Sequence, residues 1–312
     1  MAKFIIKRLL LLIPTVIGVV SIAFLVMRLI PGDAAQFILG DYATQETLAQ
    51  LREQLGLTKP IHVQYLRFLM RALVGDFGRS LVTQRPAFDE ALAVFPYTIQ
   101  LATAGTLISM LIGVPIGILS ALRRNTPVDF FAMSFALVGV SMPVFWLGLL
   151  LLLIFSLYLG WTPTVGAGQE GDMVNQLHHL ALPALTLAIS IAAMVTRMTR
   201  STMLEVVSQD YIRTARAKGL GEPWVIMKHA LRNASLPIVT VVGINFGVQL
   251  GGTVLIETVF ARPGLGNILI SSIYQRDYPV VQATVVLFAS SFILVNLLVD
   301  LLYVILDPRL KG

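Results

Sequence analysis

Six long apolar stretches dominate the chain and leave few folds open to it. They cover about residues 9–29 (uncharged from Leu9 to Met27), 99–122, 130–160, 180–196, 236–256 and 280–306. A helix needs about 20 apolar residues to cross a bilayer. With every backbone polar group satisfied internally in lipid, helices are the expected form of these spans. The third stretch exceeds one crossing, so the sequence predicts one span kinked near Gly139 and Pro143 and reaching the far interface at Trp161. Only 13% of the 312 residues are charged and 56% are hydrophobic, against about a quarter charged in ordinary soluble domains. That composition excludes disorder, collagen and coiled coil. Without cysteine, disulfide scaffolds, thiolate metal sites and cysteine nucleophiles are excluded too.

Lys3, Lys7 and Arg8 resemble the basic start of a secretory signal, but a 19-residue apolar run follows with no small-x-small cleavage site. That length favours an uncleaved first span. Orientation follows from lysine and arginine. With the N-terminus inside, Arg123, Arg124, Arg197, Arg200, Arg213, Arg216, Lys218, Lys228, Arg232, Arg309 and Lys311 all face the cytoplasm. The opposing short loops hold Arg262 and Arg276. The expected architecture is therefore an all-α membrane protein: six transmembrane helices with cytoplasmic N- and C-termini.

Two segments lie outside the spans. The outer one, residues 30–97, predicts two amphipathic helices. Thr44 caps the first, with Leu48, Leu51 and Leu55 on one face and Gly56 as its end. Pro60 opens the second, with Ile61, Tyr65, Phe68, Leu69 and Ala72 on one face before Gly75. Such helices lie on the membrane surface or pack on the bundle, either as a connector or as a docking surface for an extracytoplasmic partner. The cytoplasmic segment, residues 197–235, predicts a helix from Ser201 to Ala217, a turn at Gly219 and Gly221, and a restart at Glu222-Pro223 carrying Trp224, Lys228, His229 and Arg232. It reads either as a projection fitting a partner's groove or as a basic loop touching anionic lipid. Membrane tethering sets aside a DNA-binding helix-turn-helix, so no nucleic-acid partner is expected.

Enzymatic signatures are missing from the sequence. No lysine is followed by serine or threonine, so there is no Walker A loop; any ATP is bound and hydrolysed by another chain. His178 and His179 are adjacent rather than at the i, i+4 spacing that grips metal, and His62 and His229 stand alone. No catalytic residues, metal or cofactor are expected. Within the spans, Asp300 lies a turn after Asn296 near the inner end, where pairing with a basic residue suits it better than ion coupling. Ser141, Met142, Pro143 and Trp146, then Asn245, Gln249, Gly251 and Gly252, gather polar and small residues. They serve either helix packing or a translocation pathway, for which Ser141, Met142, Trp146, Asn245 and Gln249 are the candidates.

Ordered blocks of residues resemble one family over nearly the whole chain. They include Ile30-Pro31-Gly32-Asp33, Leu55-Gly56-Leu57, Lys59-Pro60, Gln64-Tyr65 and Gly75-Asp76-Phe77-Gly78-Arg79-Ser80. Asp210 through Leu220 forms the most specific block, then His229-Ala230-Leu231-Arg232-Asn233-Ala234. Glu257-Thr258-Val259-Phe260, Pro263-Gly264-Leu265-Gly266, Arg276-Asp277-Tyr278-Pro279 and Leu306-Asp307-Pro308-Arg309 complete them. The family is the inner-membrane permease subunits of binding-protein-dependent ABC importers. The chain looks like the first of the two permeases in dipeptide, oligopeptide, glutathione and nickel systems.

The resemblance implies a type I importer permease fold in the bacterial inner membrane, as a single domain. It implies a second homologous permease, one or two ABC ATPases, and a periplasmic or lipid-anchored solute-binding protein as partners, with membrane lipid around them. It assigns ATPase coupling to Tyr211, Arg213, Thr214, Ala215, Arg216, Ala217, Lys218, Gly219, Leu220 and His229, with Arg213, Arg216 and Lys218 as cations for acidic groups on the ATPase. Where the general motif reads Glu-Ala-Ala this chain has Arg213-Thr214-Ala215, and Ala34 stands where proline is usual; the first departure fits the peptide branch rather than sugar permeases. Di- or oligopeptides are the expected solute, with glutathione or a nickel complex as alternatives. Leu159 through Gly166 is similar to the glutathione-type members. Outside the class, an ATP-independent carrier or channel and a membrane scaffold remain alternatives.

Overall fold

A computed structural model describes residues 14–25, 35, 39–40, 43–54 and 56–306, with the side chains at 54 and 300–306 outside that description. The basic N-terminus, Ile30 to Asp33, the Asp300 side chain and the Asp307-Pro308-Arg309 block therefore lie outside the described residues. Among the described residues the structure is helical, with a single isolated bridge between Arg79 and Pro86.

The helices in chain order are α1 (Pro14–Leu25), α2 (Gln45–Gln54), α3 (Ile61–Ala72) and α4 (Ala87–Leu122). α5 (Pro127–Ser141), α6 (Val144–Tyr158) and α7 (Met173–Val207) follow. α8 (Asp210–Ala217), α9 (Glu222–Val259), α10 (Leu265–Tyr274) and α11 (Tyr278–Leu306) complete the chain. Four of these, α4, α7, α9 and α11, are each long and apolar enough to cross a membrane, and the α5–α6 pair makes a fifth candidate if counted as one span.

The pair α5–α6 differs from the expected kink. Its axes bend by 106°, because Pro143 cannot continue the helical ladder and drives Met142 to extended backbone at φ −85°, ψ 130°. The structure also divides the expected helix from Ser201 to Ala217. α7 runs unbroken to Val207, and α8 starts anew at Asp210. Ser208 turns its hydroxyl onto the Glu205 carbonyl, and Gln209 is extended at φ −73°, ψ 149°. A side chain bonded back to the helix carbonyls competes with the next turn in this way.

The chain forms two compact units. Residues 1–96 with 263–293 make the first, and residues 97–262 with 294–312 the second. In the first unit the predicted amphipathic helices are present. Thr44 Oγ1 accepts from the Thr47 amide at 3.3 Å, a side-chain N-cap for α2, and Pro60 caps α3 at φ −53°, ψ 142°. α3 turns Tyr65 and Phe68 inward, where Phe24, Phe68, Phe77 and Phe88 succeed one another at ring separations of 5.6, 6.2 and 5.9 Å. Phe77, Ala87, Ala91, Leu265, Val280 and Ala283 form the buried centre. Two blocks nearly 200 residues apart meet here: Ser80 Oγ donates to Asp277 Oδ2 at 2.5 Å, and the Leu81 amide donates to Oδ1 at 3.1 Å.

The second unit is packed around α7, with α4, α5 and α9 against it. A Cβ on Gly113 would come within 2.8 Å of the Ala192 carbonyl oxygen, and one on Gly117 within 2.6 Å of Thr199 Cβ. Small residues let helix backbones approach where lipid supplies no hydrophobic drive between helices. Glu257 and Arg262 are fully buried. Thr98 Oγ1 donates to Glu257 Oε1 at 2.7 Å, while the Arg262 guanidinium lies 5.7 Å from the Tyr97 ring centre.

Candidate functional site

Residues 197–235, expected from the sequence to project into the cytoplasm, form the end of α7, the short helix α8, a turn and the start of α9. α8 presents two faces. Ile212 and Ala215 are buried with Met203, Val225, Ile226 and Ala230 in one apolar cluster, which fixes the short helix on α7 and the start of α9. Tyr211, Arg213, Thr214, Arg216 and Ala217 lie on the exposed side, followed by exposed Lys218, Gly219 and Leu220. Trp224 and Met227 extend the exposed apolar surface, at 53% and 60% exposure. An eight-residue helix has little stability alone, so the buried Ile212 and Ala215 are what hold it.

The turn after α8 is set by two features. Gly219 adopts φ +77° and its amide donates to the Arg216 carbonyl at 2.9 Å, the left-handed residue that ends a helix. Across the turn, Arg216 makes a bidentate pair with Glu222: Nη2 to Oε1 at 2.6 Å and Nε to Oε2 at 3.0 Å. The hydrogen-bonded Glu222 carboxylate raises the Arg216 pKa above its ordinary value. Behind α8, Asn233 Nδ2 donates to Tyr211 Oη at 2.8 Å and to the His229 carbonyl at 3.0 Å. Lys228 Nζ sits 4.5 Å from the Trp224 ring centre.

These positions redistribute the expected roles. Ala215 belongs to the core. Arg216 pairs with Glu222 within the chain. Arg213 leans on Asp210 at 3.5 Å with its side chain 74% exposed, and Lys218 is exposed. His229 is half-buried and contributes its carbonyl to the Asn233 bond. The restart at Glu222 contains a π-helical turn over Val225–Ala230, a form common at functional positions; nothing in the sequence signals it.

The five pathway candidates lie at the end of α5, at the α5–α6 break, on α6 and on α9. Ser141 is exposed at the end of α5 with its hydroxyl on the Leu137 carbonyl, Met142 is the extended break, and Trp146 is 42% exposed on α6. On α9, Asn245 Nδ2 donates to the Val241 carbonyl at 2.7 Å and approaches Met194 Sδ at 3.2 Å. Gln249 is only 4% exposed and accepts from Thr106 Oγ1 at 2.8 Å in the seam with α4, its Nε2 buried without a partner among the described residues.

Sequence reading missed an ion pair at the base of the projection. Arg200, on α7 two turns before its end, donates to both carboxylate oxygens of Asp129, which is 5% exposed. Ser120 Oγ and the Asn125 amide complete the Asp129 shell at 2.6 and 3.0 Å. The available signal was an aspartate two residues after a helix-starting proline, at the edge of an apolar stretch.

An α-helical, multi-span membrane subunit with a packed helix–turn–helix projection is the class of molecule these features define. The chain matches the binding-protein-dependent transport system inner membrane component family over residues 113–312, and the N-terminal part of such membrane components over residues 1–102. It belongs to that family: it is a permease of the ABC importers, an inner-membrane component and not itself an enzyme. It is 46% identical over 311 residues to the glutathione transport system permease protein GsiC of Salmonella paratyphi A, and 44% identical to GsiC of Escherichia coli K12. Each alignment covers 100% of this chain and 99% of the relative. Among solved structures, the inward-facing MetNI methionine ABC transporter matches at a TM-score of 0.56 and 19% identity, over 67% of this chain and 93% of that one. An amino acid ABC transporter with histidines matches at 0.51 and 18%, over 69% and 93%. These structural likenesses concern the fold.

Proposed function

We propose that this permease carries glutathione across the inner membrane, driven by ATP hydrolysed on separate ABC ATPase chains. The full-length likeness to two glutathione permeases supports that solute over the general di- and oligopeptides expected from the sequence. Glutathione is itself a tripeptide, so the two readings share a chemistry of free carboxylates and a charged amine. A second, homologous permease completes the pathway, and an extracytoplasmic binding protein delivers the solute. Both termini face the cytoplasm, which puts α8 and its turn on the ATPase side.

The coupling site is the exposed face of α8 with Leu220, Trp224 and Met227, anchored by Ile212 and Ala215. Arg213 and Lys218 are the cations available to an acidic groove. Arg216 and Glu222 hold the turn in shape, so a push on Leu220 reaches α7 and α9 together. Ser141, Met142, Trp146 and Asn245 are the residues proposed to border the pathway; Gln249 supports them through Thr106. No cofactor is assigned to the chain itself.

Uptake of labelled glutathione into cells lacking the gene, with and without the gene restored, tests the reading. Restored uptake, competed by unlabelled glutathione more strongly than by dialanine or a nickel complex, is expected. Equal uptake with and without the gene contradicts it, and stronger competition by dialanine returns the solute to the general peptides.

A further inference from the structure

The first unit contains a cavity of about 810 Å³ that the transport reading does not use. Its wall combines Phe24 from α1, Leu66, Arg67 and Met70 from α3, Lys59 before it, and Tyr278 with Gln282 from the first turns of α11. α3 has opposite faces. Tyr65, Phe68 and Ala72 point into the unit, while Leu66, Met70, Leu73 and Val74 are 56, 69, 72 and 79% exposed. Four large aliphatic side chains left in a row at that exposure fit acyl chains rather than water. The cavity lies at the first turns of α11, a helix long and apolar enough to cross a membrane, so its depth is that of the membrane interface.

Charge selects among occupants. Arg71 is closed by Asp76, Nε to Oδ2 at 2.8 Å. Among the described residues, Lys59 and Arg67 have no carboxylate partner and Glu53 is the only other acid in the wall. The Tyr278 hydroxyl is buried with no hydrogen-bond partner among the described residues; such a group normally has one. The cavity thus offers two cations, one spare hydroxyl and an apolar exit along α3.

We propose that this cavity binds an acidic phospholipid. Lys59 and Arg67 take the phosphodiester, Tyr278 donates to a headgroup oxygen, and an acyl chain leaves along Met70, Leu66 and Leu73. The excess of positive charge favours an acidic over a zwitterionic lipid. The site fastens α3 to the membrane surface and needs no solute or ATPase.

Hydrogen exchange on the full chain, purified with whatever subunits accompany it and placed in nanodiscs, tests the site. Phosphatidylglycerol discs are expected to slow exchange over residues 59–74 relative to phosphatidylcholine discs. The K59Q/R67Q variant is expected to lose that difference and to weaken phosphatidylglycerol binding by about thirtyfold. Tyr278→Phe, which keeps both cations, is expected to lose part of the protection with an unchanged unfolding temperature in phosphatidylcholine. Equal exchange in the two lipids, or equal protection in wild type and K59Q/R67Q, overturns the proposal. Equal protection by inorganic phosphate makes the site one for small anions, and protection by glutathione in phosphatidylcholine makes it a solute vestibule; either overturns it as well.

Discussion

Arg200 grips Asp129 with both arms of its guanidinium, Nε to Oδ1 at 2.6 Å and Nη2 to Oδ2 at 2.7 Å. The pair joins the start of α5 to α7 seven residues before α7 ends, and α8 begins only three residues after that end. Asp129→Ala strands a partly buried cation and frees Ser120 and the Asn125 amide. It is expected to destabilise the protein by about 3 kcal/mol, read as a fall in unfolding temperature in detergent. Arg200→Lys keeps the charge, loses the fork and is expected to cost roughly 1 kcal/mol. An exchanged pair, Arg at 129 and Asp at 200, is expected to recover only part of the loss, because arginine cannot accept from Ser120 or Asn125.

Gly219 has φ +77° and no neighbour within 4 Å of a built Cβ. Substitution is therefore limited by backbone strain and not by crowding. Gly219→Val is expected to cost about 1–2 kcal/mol locally and to abolish uptake while membrane levels stay unchanged. Gly219→Asn, which tolerates the left-handed region, is expected to retain most uptake. Normal uptake by Gly219→Val at matched levels removes this turn from the coupling mechanism.

The Arg216–Glu222 pair is exposed, with side chains 38% and 52% accessible, so its loss is expected to change stability by less than about 1 kcal/mol. Its effect belongs to function: Glu222→Gln loosens the turn that carries Leu220. Solute-stimulated ATP hydrolysis by the assembled transporter is expected to fall while basal hydrolysis persists. Charge exchange, R216E with E222R, is expected to restore it.

Asp277 is 3% exposed and accepts from Ser80 Oγ and the Leu81 amide. Asp277→Ala is expected to destabilise the first unit by about 2 kcal/mol and Ser80→Ala by about 1 kcal/mol. The double variant is expected to cost less than the sum, as limited proteolysis between residues 70 and 86 would register.

Asp76 accepts from Arg71 and from the Gly78 amide, and the Arg71 hydrogen bond chiefly holds its pKa below the ordinary aspartate value. A carboxylate whose folded pKa is depressed stabilises the fold above its unfolded pKa and loses that contribution as pH falls through the folded value. Exchange protection over residues 71–78 is thus expected to be level from about pH 8 to 5 and to decline below about pH 4. Asp76→Asn is expected to flatten that decline.

Local chemistry made several elements legible. Thr44, Pro60 and Gly75 mark α2 and α3 because caps and breakers act within a few residues. Pro143 announces a break, but the 106° bend depends on what α5 and α6 pack against. The division of α7 from α8 escaped because Ser208 and Gln209 are compatible with helix by propensity, and only the Ser208–Glu205 bond shows the competition. Within the ten residues that the motif assigns to coupling, sequence alone could not separate the buried Ala215 from the exposed Thr214, or show Arg216 paired with Glu222. Asp129 and Arg200 lie 71 residues apart, so nothing local connects them. Polarity in an apolar helix has two causes, packing and a pathway, and the burial of Gln249 against Thr106 is not legible in the sequence.

The central claim is that α8 and its turn seat on an ATPase. A tag on this chain, gentle extraction from its own membranes and identification of the accompanying proteins tests it directly, with an Ile212→Asp variant as the comparison. The account predicts a second permease and one or two P-loop ATPases with the wild type, and loss of the ATPases in a variant whose anchor is gone. Recovery of the folded wild-type chain alone, or as a homodimer without an ATPase, contradicts it.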